Sequence, residues 1–296
     1  MIETKKFTNL FRLGLRRLLF LVCLGLFGAL FSATLVRFAP GFGVEERELD
    51  PRWSASSVEA LRRQQALHQG LPSFYFHYLS ALAHGDLGQS DSLKRPVGEL
   101  LRQRLPITGN SVLRGLGLAW LAASLLALLG LASRGWLFAA STTALNSLLL
   151  SLPAAVVAML AVYLRTPVFF AIAVVVFPRL YSYIRSLLLR AYDQPHVLAA
   201  RARGLGSSVI LCRHILPLAA PPLLALIGVS FAISFGAAIP IEALSDSPGL
   251  GQLAWHAALG RDLPLIVNVT LVVSLIMLAA NFFADLAGRT FAGNAP

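Results

Sequence analysis

Five stretches of the chain, residues 18–36, 115–133, 135–164, 215–241 and 263–284, contain no Asp, Glu, Lys or Arg. Each meets the requirement of about 20 apolar residues for a helix that crosses ~30 Å of hydrocarbon. No water reaches backbone N–H and C=O groups in that medium, so such segments fold as helices that satisfy those groups internally. A sixth stretch, about 167–189, is apolar through Val176 and then carries Arg179 and Arg185. It is predicted to span as well, with its charged half solvated, paired or snorkelling. The expected fold is all-α and integral to a membrane, with about six transmembrane helices.

Charge predicts the orientation. Lys5, Lys6, Arg12, Arg16 and Arg17 precede the first run, and basic residues accumulate on the cytosolic side of spans. The reading is a cytosolic N-terminus at 1–17, a first span at 18–36, a long extracytoplasmic segment at 37–108 and a five-helix core over 109–296. Both termini, Arg134, the 190–213 loop and Arg289 then fall in the cytosol. The first run is too long for a cleaved signal, and no small-residue cleavage site follows it. Within 37–108, residues 54–69 have helical spacing with Ser54 as N-cap, while Phe74, Tyr75, Phe76 and Tyr78 suit the membrane interface. A net charge of +11 accompanies no RNA- or DNA-binding motif and instead flanks apolar runs, so lipid, not nucleic acid, is the expected contact.

Between the fourth and fifth spans lies a small-residue, basic loop, Leu198-Ala-Ala-Arg-Ala-Arg-Gly-Leu205, within the segment 190–217. Ala199, Ala200, Ala202, Gly204 and Gly206 let a second protein approach the backbone, while Arg201, Arg203 and Arg213 hold the loop on the cytosolic side. A short helix is expected over about 197–203, with Gly204 turning the chain so that Leu205 packs against a partner.

Several separated motifs share a single resemblance. The loop from His196 to Leu205 resembles the coupling motif of the membrane permeases of binding-protein-dependent ATP-binding-cassette importers, in the dipeptide, oligopeptide and nickel branch. Arg213-His-Ile-Leu-Pro217 continues that motif, and Ile241-Glu-Ala-Leu-Ser-Asp-Ser-Pro-Gly-Leu-Gly251 and Gly260-Arg-Asp-Leu-Pro264 look like the branch's extracytoplasmic signature. Arg16-Arg-Leu-Leu19, Arg37-Phe-Ala-Pro-Gly41, Gly85-Asp-Leu-Gly-Gln-Ser90, Pro96-Val97, Leu105-Pro106 and Thr108 are similar to the first of its two paired permeases. The chain departs from the pattern where Leu198 replaces an acidic residue, where Gly41 runs into Phe42-Gly43, and where Arg165 and Thr166 form a short connection between spans three and four.

The resemblance implies half of a translocation pathway for peptides or a related small solute, in a bacterial or archaeal plasma (inner) membrane. It assigns Ala199, Ala200, Arg201, Ala202, Arg203, Gly204, Leu205 and Pro217 to docking an ATPase. The implied partners are a second homologous permease, two ATP-binding-cassette ATPases and an extracytoplasmic solute-binding protein, with ATP and Mg on the ATPases and no cofactor on this chain. The sequence itself holds no Gly-x-x-x-x-Gly-Lys-Ser/Thr phosphate loop, no metal-ligand spacing among its six histidines and no catalytic constellation. It is therefore not expected to be an enzyme. An ion-coupled secondary transporter is the alternative, as is an importer of this branch that moves nickel complexes or glycans.

Arg179, Ser230, Ser234 and Asn268 are pathway candidates, although serine and asparagine also join membrane helices by hydrogen bonds. Glu242, Asp246, Arg261 and Asp262 are candidate receptor contacts. Pro217, Pro221, Pro222 and Pro240 are expected to bend or end the fifth span.

Overall fold

A computed structural model describes residues 23–28, 30, 31, 34, 76, 78–82, 84–133 and 135–292. The described residues are helical or in turns, apart from one isolated bridge between Gln89 and Pro96. The helices are α1 (Val97–Ala132), α2 (Trp136–Ser151), α3 (Ala154–Tyr163), α4 (Val168–Tyr192), α5 (Pro195–Ala202), α6 (Ser207–Ile210), α7 (Leu216–Leu244), α8 (Leu250–Leu259) and α9 (Leu263–Ala292). The basic cluster at 5–17, the helix at 54–69, Phe74, Tyr75, Arg134 and the Arg289 side chain lie outside the described residues. So does most of the 18–36 run, whose described part is helical.

Among the described residues, four stretches are long and apolar enough to cross a membrane: Val97–Ala132, Val168–Tyr192, Ser207–Leu244 and Leu263–Ala284. The expected span at 135–164 is two helices, α2 and α3, bent by 92°. Counted as one broken span, they make a fifth. The cause is Pro153, which has no N–H and pushes the residue before it out of the α region. Leu152 duly sits at φ −75°, ψ 122°.

Two further expectations shift. The domain break expected between 108 and 109 falls inside α1, which starts at Val97. Hydropathy hides those first turns because Arg102, Arg104 and Arg114 interrupt the apolar run, yet arginine is a good helix former. The four prolines of the fifth span neither end nor interrupt it, since the helix runs from Ser207 to Leu244. A π-turn over Leu211–Ile215 precedes Pro217, and the Leu216 N–H bonds Leu211 O, one residue further back than in an α-helix. That wider turn displaces the carbonyls the proline ring would otherwise strike.

The chain forms two compact units, 1–104 with 253–275 and 105–252 with 276–296. In the first, Val267 and Leu271 are buried against Leu26, Tyr78, Leu82, Leu263 and Leu275. In the second, α4 packs along α7, burying Ile172, Val176, Leu180, Tyr181, Ile184 and Leu188, a row spaced three or four residues apart with Tyr181 inserted. Glycines permit the tightest crossings. A Cβ on Gly115 would lie 2.7 Å from Phe169 O, and one on Gly228 would overlap Ala284 Cβ and sit 2.7 Å from Ala280 O.

Gly228→Ala is therefore expected to lower stability by about 1–3 kcal/mol, the usual cost of overpacking, whereas Gly117→Ala, with nothing within 4 Å, leaves it unchanged or raised. Thermal melts of the two purified variants beside the parent chain check this. Equal melting would show that the α7–α9 crossing is looser than described.

Candidate functional site

Basic loop. After α4, Gln194 leads into α5, whose Pro195 stands in the first turn where no helix donor is lost. The helix buries Val197 and Ala200 and leaves Leu198, Ala199, Ala202 and Arg203 exposed. Arg201 does not point into solvent. Its guanidinium lies 3.5 Å above the Tyr192 ring and bonds Tyr192 O at 3.4 Å, pinning α5 to the end of α4. The helix then stops because Gly204 adopts φ +72°, a conformation costly for any residue with a Cβ. Arg203 N–H bonds Ala199 O, Gly204 N–H bonds Arg201 O and Leu205 N–H bonds Ala200 O, closing the last turn. Leu205 emerges 40% exposed and Leu198 55% exposed, so two leucines and the alanines between them form an apolar surface without a partner among the described residues. Pro217 lies beyond the π-turn, inside the following span.

Signature around Glu242. Glu242 is fully buried. Its Oε2 accepts bonds from Thr108 Oγ1 and from Gly251 N–H, both at 2.9 Å, while Thr108 Oγ1 accepts one from Leu250 N–H at 2.8 Å. Oε1 has no partner among the described residues. A Cβ on Gly249 would collide with the carboxylate, and one on Gly251 with Ile239 O, so the Ser247-Pro-Gly-Leu-Gly251 turn needs its glycines to wrap the side chain. Asp262 is likewise buried, accepting bonds from Ser90 Oγ at 2.5 Å, Ser92 N–H at 2.9 Å, Ser92 Oγ at 2.7 Å and Leu265 N–H at 3.1 Å. Both carboxylates, candidate receptor contacts by sequence, are buried and held by several hydrogen bonds within the fold. Asp246, bonded by Gln252, and Arg261 are exposed at φ +51° each.

Pathway candidates separate in the same way. Ser230 accepts a bond from Trp120 Nε1 at 3.0 Å, and Ser234 donates to Ser230 O at 2.7 Å; both are buried. Asn268 accepts from Tyr78 OH at 3.2 Å and donates to Leu87 O at 3.0 Å and Pro264 O at 2.7 Å. These three side chains make hydrogen bonds that join helices and loops. Asn268 and Asp262 fix the Gly85-Asp-Leu-Gly-Gln-Ser90 motif, whose glycines take φ +77° and +72°. Tyr78, expected at the interface, is drawn into this cluster, and burial pushes its phenol up to about 12. Arg179 alone of the pathway candidates is exposed, and it lines a cavity of about 690 Å³ bounded by α2, α3, α4, α7 and α9. Sequence reasoning missed this cavity; Pro153 inside the 135–164 run was the available signal.

Several long apolar helices joined by a basic inter-span loop that ends in a left-handed glycine describe a polytopic membrane protein. Residues 99–293 match the family described as the inner membrane component of binding-protein-dependent transport systems, and the chain belongs to that family. A putative peptide permease protein of Brucella suis is 27% identical, covering 86% of this chain and 89% of the relative. A probable peptide ABC transporter permease protein of Sinorhizobium fredii is 27% identical over 92% and 95% of the respective lengths. A nickel import system permease protein of Staphylococcus aureus is 26% identical over 85% and 82%.

Burial disfavours the Asp262 carboxylate's charge, but the bonds from Ser90, Ser92 and Leu265 outweigh it and hold the group below its ordinary value of 3.8. A depressed folded value contributes stability that is full above the unfolded value and lost as pH falls through the folded one. Asp262→Asn should then cost about 2 kcal/mol at neutral pH, with the gap to the parent closing below about pH 4. Detergent-phase melts across pH read this directly; a gap that persists in acid would mean that the charge contributes nothing.

Proposed function

We propose that this chain is the permease subunit of an ATP-driven importer and forms half of its pathway for peptides or a chemically related small solute. A second, homologous permease, two ATP-binding-cassette ATPases carrying ATP and Mg, and an extracytoplasmic binding protein complete the assembly. The observation that carries the reading is the apolar, small-residue face of α5 and Leu205, presented between two spans and ended by Gly204 at φ +72°. Such a face suits a groove in a cytosolic ATPase. Because α4 precedes it and the continuous helix Ser207–Leu244 follows it, closure of the ATPases would be transmitted into spans that wall the cavity. Both termini would then be cytosolic, and the signature around Glu242 would lie on the receptor side, where exposed Asp246 and Arg261 remain candidate contacts. The peptide assignment draws on the two peptide permease relatives; the nickel permease relative supports the second reading, a chelated metal as cargo.

Gly204→Asp tests this. An aspartate at φ +72° is strained, and its charge would stand in the docking face. Uptake of a radiolabelled peptide should fall by more than about tenfold, equivalent to ~1.4 kcal/mol, and ATPase co-purification should fall with it, while abundance in the membrane is unchanged. Full uptake with normal ATPase association would remove the coupling role from this loop.

A further inference from the structure

The cavity beside the α2–α3 elbow holds an imbalance of charge. Its wall includes Leu152, Pro153, Ile233, Pro240 and Asn281 and contains a single ionisable side chain, Arg179, with no carboxylate among the lining residues. Arg179 lies near the middle of α4, directly after Pro178. No acceptor or carboxylate contacts its guanidinium among the described residues. A guanidinium stays protonated at any physiological pH, and a cation at membrane depth without a counter-charge is costly unless it faces water or an anion. The neighbouring Ser182 is turned away, donating to Pro178 O and accepting from Asn146. The void, about 690 Å³, falls within the ~300–1,000 Å³ typical of small-molecule sites.

We propose that Arg179 is the point at which the cavity recognises an anionic group of the transported solute, specifically a carboxylate such as the C-terminus of a short peptide. The planar guanidinium can pair with both carboxylate oxygens at once, a geometry that lysine does not offer. A bare divalent cation would be repelled from the same position, so a metal cargo would pass only within an anionic chelate. This inference rests on the transport reading above, in that the cavity is taken as part of the pathway.

The test uses the complex purified from its native membrane and placed in nanodiscs. Phenylglyoxal modification of Arg179 is followed by mass spectrometry, with Arg165, exposed in the turn between α3 and α4, as the reference for reagent. Trialanine should slow modification at 179 several-fold relative to 165, whereas trialanine amide, which lacks the carboxylate, should not. Equal protection by both peptides, no protection by either, or no modification at 179 at all would overturn the proposal. Slowing by phosphatidylglycerol in place of phosphatidylcholine, without peptide, would assign the site to a lipid headgroup and overturn it as well. In cells, Arg179→Gln should lower trialanine uptake by roughly tenfold, and Arg179→Lys by less, with membrane abundance unchanged. Protection without ATP-dependent uptake by the parent chain would keep the anion site and remove the importer reading. ATP-dependent uptake without protection would do the reverse.

Discussion

A carboxylate sealed inside a helix bundle must be hydrogen-bonded, and Glu242 meets that requirement by tying together three stretches of chain. Thr108 on α1 and Gly251 at the start of α8 both bond Oε2, and the turn between α7 and α8 closes over the side chain. Losing either donor would leave a buried oxygen with one hydrogen bond instead of two, at about 1–3 kcal/mol. Glycine at 249 and 251 is the only residue type that fits so close an approach. The end of the long helix is thus fixed to its surroundings.

That anchorage has a mechanical consequence in the proposed reading. One uninterrupted helix runs from Ser207 to Leu244, so the residues next to the basic loop and the residues around Glu242 belong to the same rod. The π-turn at 211–215 lets the rod pass Pro217 without breaking. Force applied at α5 would therefore have a continuous helical route to the cavity wall at Ile233 and Pro240. Small residues at Gly228 and Gly236 keep α7 close to α9 along the way, facing Ala284 and Met277. Coupling and pathway would share one structural element.

Much of this was legible in the residues. Charge-free runs at 115–133, 215–241 and 263–284 predicted the helices found there, because hydrocarbon demands both apolar side chains and internally bonded backbone. The left-handed turn at Gly204 followed from a glycine ending a short alanine-rich helix, and its φ of +72° agrees. Hydropathy failed where its assumption fails. It counts charges without asking what they pair with, so it missed the arginine-bearing start of α1 and placed Glu242 and Asp262 on the surface. Their partners, Thr108 and Ser90, lie more than a hundred residues away in sequence, and no local pattern announces them. The elbow at Pro153 was concealed for a different reason: a bent pair of helices has the same composition as a straight one.

In the proposed importer, the face formed by α5 and Leu205 seats an ATPase. A photo-reactive benzoylphenylalanine at position 199, in the full complex in native membranes, tests it most directly, with the same probe at exposed Leu113 as the comparison. Illumination is expected to join residue 199 to a nucleotide-binding subunit in a single adduct of defined mass, while residue 113 gives none with that subunit. Adducts from 199 with lipid alone, or with no ATPase while 113 behaves identically, would contradict it.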